Sequence, residues 1–158
     1  MEKLLKIPYK VFNDWNQLQQ FLEHRGNPRY ELVGDVKLYN RKDIFNLGNL
    51  VRVDGDLNLN SSSIQSLKNL EYVSGYLDLR GTPIQSLENL EYVGGTLYLN
   101  TTPIKSLGNL VRVGGFLDLR FTPIKSLGNL EHVGDEIMLS KDHQIPEEQL
   151  TKFKIKYW

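Results

Sequence analysis

The sequence predicts an α/β solenoid, and three observations lead to this fold class. A 20-residue frame recurs without insertion or deletion through four consecutive units, and a weaker copy stands on each side. Apolar and polar residues alternate early in each unit, as in a strand with one buried face. Glycine recurs at a fixed place before this alternation, and in three units Thr-Pro follows it. A fixed period of roughly 20 to 50 residues indicates units that stack on their neighbours. The units are residues 51–70, 71–90, 91–110 and 111–130, with the weaker copies at 31–50 and 131–150.

The strand of each unit is predicted from a Leu-x-Leu pair. In residues 71–90, Leu77 and Leu79 point to one face of the strand, and their polar neighbours point to the other. Pro83 ends the strand, because proline fixes φ and has no amide hydrogen. The equivalent inward pairs are Leu57/Leu59, Leu97/Leu99, Leu117/Leu119 and Ile137/Leu139.

The rest of each unit is predicted to return as a short helical or 3-10 segment. Ile84, Leu87 and Leu90 are spaced three apart, and Val93 follows at the same interval. This spacing suits a 3-10 helix that points one side chain inward per turn. Each unit therefore supplies six apolar positions to one continuous core.

This pattern resembles the leucine-rich repeat family. Threonine stands where the family usually has asparagine, and the 20-residue unit is similar to short bacterial and viral members and to receptor L domains. The resemblance implies a right-handed coil with a parallel β-sheet on its concave side and the returns on its convex side. It does not define a function, since family members bind proteins, peptides, sugars and lipids. The matching residues are Leu77, Leu79, Thr82, Ile84, Leu87 and Leu90.

One domain of residues 1–158 is predicted, with an N-terminal cap at 1–30, about six repeats at 31–145 and a C-terminal cap at 146–158. The first cap contains a helix that starts at Asn13 or Asp14 and is ended by Gly26 and Pro28. Its apolar stripe, which we expect to cover the first repeat, is Trp15, Leu18 and Leu22, with Phe21 beside them.

The first repeat is shifted by one position. Its apolar pair is Val36 and Leu38, whereas the frame of the later repeats places Lys37 and Tyr39 at the inward positions. Ile44 is back in the frame, so a bulge or cap variation is predicted between the two stretches.

The C-terminal tail is predicted to cap the other end. Pro146 opens a short helix, and residues 151–158 then alternate apolar residues with lysines. Lysines along a terminal strand discourage edge-to-edge aggregation. The alternative is a homodimer through this C-terminal edge.

Composition argues against several partners and sites. Nineteen basic and nineteen acidic residues give zero net charge, which does not favour nucleic acid or an anionic membrane. Without cysteine the chain has no disulfide, thiolate metal site or cysteine nucleophile. No signal peptide and no run of about 18 apolar residues is present. We expect a cytoplasmic protein without cofactor or metal, whose partner is neither nucleic acid nor membrane.

The outward strand positions form the main candidate site. They make columns across neighbouring strands, and these columns contain the tyrosines, phenylalanines and arginines that are enriched at protein interfaces. Two alternatives remain open: that the Asp-x-Arg pairs only keep the sheet soluble, and that Phe121 packs under the C-terminal segment. The predicted partner-binding residues on the concave face are Tyr76, Asp78, Arg80, Tyr98, Asn100, Phe116, Asp118, Arg120 and Phe121.

A second candidate surface is predicted on the convex side, where Tyr72, Tyr92 and Arg112 form one column. The recurring asparagines, such as Asn89, and the recurring threonines, such as Thr82, are interpreted as structural, because their side chains can bond backbone groups that a tight coil leaves unpaired.

No enzyme motif is found. The three histidines, His24, His132 and His143, do not have metal-ligand spacing. Asp78 and Asp118 lie two strands apart, about 9.6 Å, but both are expected to be exposed to solvent on an open sheet, which does not favour acid–base catalysis. The sequence predicts a non-catalytic protein-binding module, an inhibitor or adaptor, which includes a viral or mobile-element protein that targets a host factor. The alternative is a structural protein that assembles through the solenoid ends.

Overall fold

The computed structural model describes residues 3–12 and 14–158, which form a parallel β-solenoid of about six coils. Each coil contributes one short strand to each of two seven-stranded parallel sheets. The sheets are named here after their inward residues, as the valine sheet and the leucine sheet. The prediction of a solenoid is confirmed.

The leucine sheet contains the predicted Leu-x-Leu strands in the predicted register. Leu57, Leu77, Leu97, Leu117 and Ile137 pair with one another in order, so equivalent residues form straight columns. In spatial order its strands are β3 (Val36–Lys37), β5 (Leu57–Asn58), β7 (Leu77–Asp78), β9 (Leu97–Tyr98), β11 (Leu117–Asp118), β13 (Glu136–Leu139) and β14 (Lys154–Tyr157).

The valine sheet was not predicted from the sequence. It is formed by the segment just before each recurring glycine, and its inward residue from β4 onward is the valine of the frame, as at Val73. In spatial order its strands are β1 (Leu5–Pro8), β2 (Tyr30–Val33), β4 (Leu50–Asp54), β6 (Tyr72–Val73), β8 (Tyr92–Val93), β10 (Arg112–Val113) and β12 (His132–Val133).

The prediction of helical or 3-10 returns is wrong for the described coils. No helix occurs between residues 24 and 146; two tight turns and a third, extended side connect the sheets instead. In one coil the turns are closed by Thr82 N donating to Leu79 O at 3.2 Å and Leu90 N donating to Leu87 O at 3.0 Å. The second turn places Leu87 and Leu90, three positions apart, on the inward side. This is the spacing from which a helix was predicted. The class is therefore β-solenoid rather than α/β.

The core runs through all six coils. At least six apolar side chains are buried in each coil from residues 31–50 to 111–130, and four are buried in the last coil, 131–150. In the coil of residues 71–90 each of the six is at most 1% exposed. This coil contributes Val73, Leu77, Leu79, Ile84, Leu87 and Leu90. Since every layer covers the next, the core is continuous from the first coil to the last.

Three helical segments of the described chain lie outside the coils. The 3-10 segment η1 (Tyr9–Val11) precedes α1 (Trp15–Glu23), and α2 (Glu147–Leu150) precedes β14. Asp14 is the N-cap of α1 and its side chain accepts from Gln17 N at 2.8 Å, as predicted, whereas Asn13 lies outside the described residues. None of the helices among the described residues is long and apolar enough to cross a bilayer. The predicted stripe of α1 is buried in the core cluster: Trp15, Leu18 and Leu22.

The first coil has the predicted register shift. Val36 pairs with Leu57, whereas the frame of the later coils would pair it with Asp56. The shift begins where β2 pairs with β4: Tyr30 pairs with Leu50 but Glu31 pairs with Arg52, so Val51 is an extra residue in β4. Ile44 is again equivalent to Ile64, since Gln65 N donates to Phe45 O. The compensating residue therefore lies in the turn between the two stretches, as expected.

Glycines let successive coils approach closely at one corner. An ideal Cβ on Gly114 would lie 2.0 Å from the carbonyl oxygen of Gly94, and one on Gly94 would lie 2.0 Å from that of Ser74. No side chain fits at this distance, so Gly94 and Gly114 are required by close packing of the backbone.

Candidate functional site

All nine residues predicted on the main candidate surface occupy the outer face or the rim of the leucine sheet. Asp78, Tyr98 and Asp118 pair directly across three neighbouring strands. The residues two positions later, Arg80, Asn100 and Arg120, form the next column, about 6.6 Å further along the strands. The structure thus brings the predicted residues onto one surface, called here the leucine face.

Asp78 and Arg80 form a two-pronged ion pair on this face. Arg80 donates from Nε to Asp78 Oδ1 at 2.9 Å and from Nη2 to Asp78 Oδ2 at 2.5 Å, and its backbone amide donates to Oδ1 at 3.1 Å. Asp118 and Arg120 repeat this arrangement two coils later, at 2.9, 2.7 and 3.1 Å. The hydrogen bonds to aspartate raise the pKa of both guanidinium groups above its ordinary value.

Each arginine also contacts an aromatic ring. Cζ of Arg80 lies 4.9 Å from the ring centroid of Tyr98, and Cζ of Arg120 lies 4.8 Å from that of Trp158. The aspartates beneath are almost completely buried, with 1% exposure for Asp78 and 2% for Asp118. The two guanidinium groups are consequently held in place by contacts within the chain. The carboxylates are engaged inside the face and are not accessible from solvent.

Asn100 lies between the two arginines in the same column. Its Oδ1 atom is buried and has no hydrogen-bond partner among the residues that the structure describes. Buried polar side-chain atoms usually have a partner, so an isolated one calls for an explanation. The chain leaves an acceptor unsatisfied at the centre of the leucine face.

Aromatic side chains stand along the same surface. Tyr76 and Tyr98 make an edge contact with ring centroids 6.4 Å apart, and Phe116 is 39% exposed. Phe121 is 69% exposed, so it does not pack under the C-terminal segment. Phe121 borders a groove of about 350 Å³ that His143 also lines.

Phe121 has an unfavourable backbone conformation. Its φ is 57°, at a turn position where the other coils have Asn40, Ser61, Gly81 and Thr101. A left-handed conformation costs about 1–2 kcal/mol for residues other than glycine, and asparagine tolerates it best. A large aromatic residue that is both strained and exposed contributes little to the stability of the fold, which favours a role in surface contact.

The residues predicted on the convex side lie on the outer face of the valine sheet. Tyr72 and Tyr92 stack with ring centroids 4.5 Å apart and an interplanar angle of 4°, and Cζ of Arg52 lies 3.9 Å from the Tyr72 ring. Arg112 pairs with Tyr92 in the register and is exposed. These contacts form a ladder of stacked planar groups that stabilises the column itself.

Several of the recurring asparagines and threonines bond the backbone, as predicted, whereas Asn69 Nδ2 donates to the side-chain oxygen of Asn49 at 3.1 Å. Asn89 Nδ2 donates to Lys68 O at 2.8 Å, and Asn109 Nδ2 donates to Glu88 O at 3.0 Å. Thr82 Oγ1 donates to Leu79 O at 2.7 Å. The serines of the repeat accept a backbone amide from the second residue ahead, as Ser86 Oγ does from Glu88 N at 3.0 Å. Apart from the pair of Asn69 and Asn49, each of these side chains supplies a hydrogen-bond partner to a backbone group in a turn.

Sequence reasoning missed Trp158. Its amide donates to Leu139 O, which continues the register of β14 and brings the residue into the arginine column. The alternation of the tail indicated a strand. Only the pairing of β14 with β13 shows that Trp158 follows Ser140 in the arginine column.

No grouping of three or more histidine, cysteine, aspartate or glutamate side chains suited to a metal ion occurs in residues 3–12 and 14–158. His24 Nδ1 lies 2.7 Å from Gln20 O, and His143 Nδ1 accepts from Ile145 N at 3.2 Å while its ring stacks on Tyr157. Comparisons with protein-family models, with curated proteins and with solved structures give no match to this chain.

Proposed function

We propose that this chain is a non-catalytic protein-binding module that docks its partner on the leucine face. The observation that carries the proposal is the pair of arginines fixed by buried aspartates. A partner that binds a side chain already held in place causes less loss of conformational entropy, which is a large cost of association. Arginine and tyrosine are also the residues that contribute most often to binding hot spots.

The finer features follow from the resemblance described above. We propose a leucine-rich repeat protein with a right-handed coil, whose leucine face is the concave surface and whose helical ends act as caps. An inhibitor or adaptor in the cytoplasm fits such a module, including a viral or mobile-element protein that targets a host factor. The valine face, with Tyr72, Tyr92 and Arg112, is the secondary surface of the proposal.

Capture from source-cell lysate tests the proposal. Wild type and Tyr98→Ala serve as baits, with Tyr72→Ala as the matched control on the valine face. We expect a protein that wild type and Tyr72→Ala retain and Tyr98→Ala loses, while thermal unfolding shows all three baits folded. A partner retained by Tyr98→Ala and lost by Tyr72→Ala contradicts the choice of face.

A second proposal is assembly through the solenoid ends. It is favoured by the stagger of the two sheets: the valine sheet begins one level earlier with β1, and the leucine sheet ends one level later with β14. Such ends are complementary for head-to-tail stacking. Tyr157 and Trp158 at the β14 end and Tyr39 at the β3 end are each at least 45% exposed. Against it, Pro8 in β1 and the lysines of β14 are residues that protect sheet edges.

Sedimentation at several protein concentrations decides on assembly. Tyr157→Ser/Trp158→Ser keeps β14, and with it the cover of Leu139, but removes the exposed aromatics. If wild type associates with increasing concentration and the double variant stays monomeric, the assembly proposal holds. A wild type that is monomeric at every concentration rules it out.

A further inference from the structure

The leucine face has a polar period of two coils. Arg80 and Arg120 occupy the same position in alternate coils, and Tyr98 with Asn100 occupies the coil between them. Two strand spacings of about 4.8 Å separate the arginines by about 9.6 Å along the solenoid axis. Each arginine has an aspartate below it. Each also has an aromatic ring near it, which is Tyr98 of the next strand for Arg80 and Trp158, two strands further on, for Arg120. A ligand that runs along the axis therefore meets the same donor, an arginine fixed by an aspartate, at two points about 9.6 Å apart.

This period matches that of a polyproline II helix. Such a helix has three residues per turn and rises about 3.1 Å per residue, so equivalent groups recur at intervals of about 9.3 Å. An extended β-strand presents equivalent faces at a different interval, every second residue or about 6.6 Å. The spacing of the two arginines thus selects the three-residue period.

The charge of the face selects neutral acceptors. Arg80 and Arg120 are each neutralised by a buried aspartate, so the face presents fixed N–H donors without a net positive charge. Phosphates and carboxylates gain little at such a site, whereas backbone carbonyls, which a polyproline II helix leaves free on its surface, are suitable acceptors.

Aromatic rings complete the match. Proline-rich segments dock on aromatic surfaces, where the rigid pyrrolidine ring packs on a flat side chain and little conformational entropy is lost. Tyr98 lies on one side of the arginine column and Phe121 directly follows Arg120 on the other, with Trp158 at the β14 end. The strain and exposure of Phe121 are then explained by contact with the ligand.

We propose that the leucine face binds a proline-rich segment of a protein partner, in the polyproline II conformation, running along the solenoid axis. Its carbonyl groups accept from Arg80 and Arg120 at every third position of the ligand, and its prolines pack on Tyr98, Phe121 and Trp158. The inference rests on the proposed function and specifies the chemistry of the partner.

Two uncharged fluorescent peptides of identical composition test the inference. One has prolines at every third position, and the other has its prolines alternately two and four positions apart. We expect saturable binding of the first peptide to the full chain, about tenfold tighter than that of the second, a difference of about 1.4 kcal/mol. Because the acceptors are neutral, the affinity should change little with salt.

Three variants locate the site. Phe121→Gly relieves the left-handed strain, so it should fold at least as well as wild type and still bind the first peptide several-fold more weakly. Asp78→Asn/Arg80→Gln removes one donor without leaving an unpaired charge and should weaken binding about tenfold. Lys105→Ala, at an exposed position outside both candidate surfaces, should bind as wild type does.

The outcomes separate this inference from the proposed function. Equal binding of both peptides overturns the period argument. Binding of neither peptide, together with a captured protein that depends on Tyr98, overturns the proline-rich ligand but keeps the protein-binding face. Binding of neutral oligosaccharides on the leucine face, with no protein or peptide ligand, overturns both.

Discussion

Asp78 and Arg80 stand two positions apart on the outer side of one short coil, and the buried carboxylate holds the guanidinium by two hydrogen bonds of 2.9 and 2.5 Å. The aspartate is 1% exposed although it occupies an outward strand position. The arginine is therefore the cover of the aspartate as well as a surface group. This double role links the stability of the coil to the shape of the candidate binding face.

Arg80→Ala should destabilise the protein by about 1–2 kcal/mol, because Asp78 loses two charge-assisted hydrogen bonds and water replaces the guanidinium only in part. The side chain of Arg80 is 44% exposed, which keeps the effect below that of a fully buried pair. The double variant Asp78→Ala/Arg80→Ala should lose less than the single one. Urea unfolding measures both, and a double variant less stable than Arg80→Ala would contradict this view of the pair.

Phe121→Gly should raise the free energy of unfolding by about 1 kcal/mol, since glycine adopts φ near 57° without the steric cost that phenylalanine has there. Gly81→Ala, at the equivalent turn position with φ of 64°, should lower it by a similar amount. Thermal and urea unfolding of the pair provide matched measurements. Destabilisation by Phe121→Gly would mean that the ring packs within the chain.

Gly114→Ala should cost about 3 kcal/mol or more, because a Cβ would lie 2.0 Å from the carbonyl oxygen of Gly94 and the two coils would have to separate. Gly108→Ala is the control. Gly108 has φ of 54° and no atom within 4 Å of its ideal Cβ, so only the backbone penalty of about 1 kcal/mol applies. Equal stability losses in the two variants would contradict the close approach of the coils.

Tyr30 should make the protein sensitive to alkali. Burial raises the pKa of its hydroxyl above the ordinary value, and the hydroxyl donates to Leu47 O at 3.3 Å. The stabilisation is fully present below the unfolded pKa of about 10 and is lost as the pH rises toward the higher folded pKa. Tyr30→Phe should therefore lose less stability than wild type between about pH 9 and pH 11. Parallel losses in urea unfolding at these pH values would show that Tyr30 does not limit stability.

The leucine face was predictable from the sequence because strand alternation and the 20-residue repeat together determine both the outward residues and their columns. The valine sheet was not, since its strands from β6 to β12 are very short and Val73 or Val93 reads equally well as one more inward residue of a return. A 3-10 turn and a tight turn with a left-handed residue give the same spacing of inward side chains. The left-handed position is glycine in some coils, as at Gly108, but Lys68 and Glu88 occupy it in others, which hides the signal.

Burial of the two aspartates also could not be predicted from the alternation of apolar and polar residues. Alternation assigns Asp78 and Asp118 to the outer face, and that assignment is correct for the backbone. An outward side chain is still buried if a neighbour lies across it, and the long arginine two positions later does so. Only side-chain geometry shows that the arginines, and not the carboxylates, lie on the surface.

The most direct test of the central claim is the dissociation constant of the captured partner, once purified, for wild type, Tyr98→Ala and Tyr72→Ala. Docking on the leucine face predicts that Tyr98→Ala weakens binding by about 1 kcal/mol or more, while Tyr72→Ala leaves the affinity unchanged. All three proteins must show the same cooperative unfolding for the comparison to hold. An unchanged affinity of Tyr98→Ala together with a loss in Tyr72→Ala would contradict the account and assign binding to the valine face.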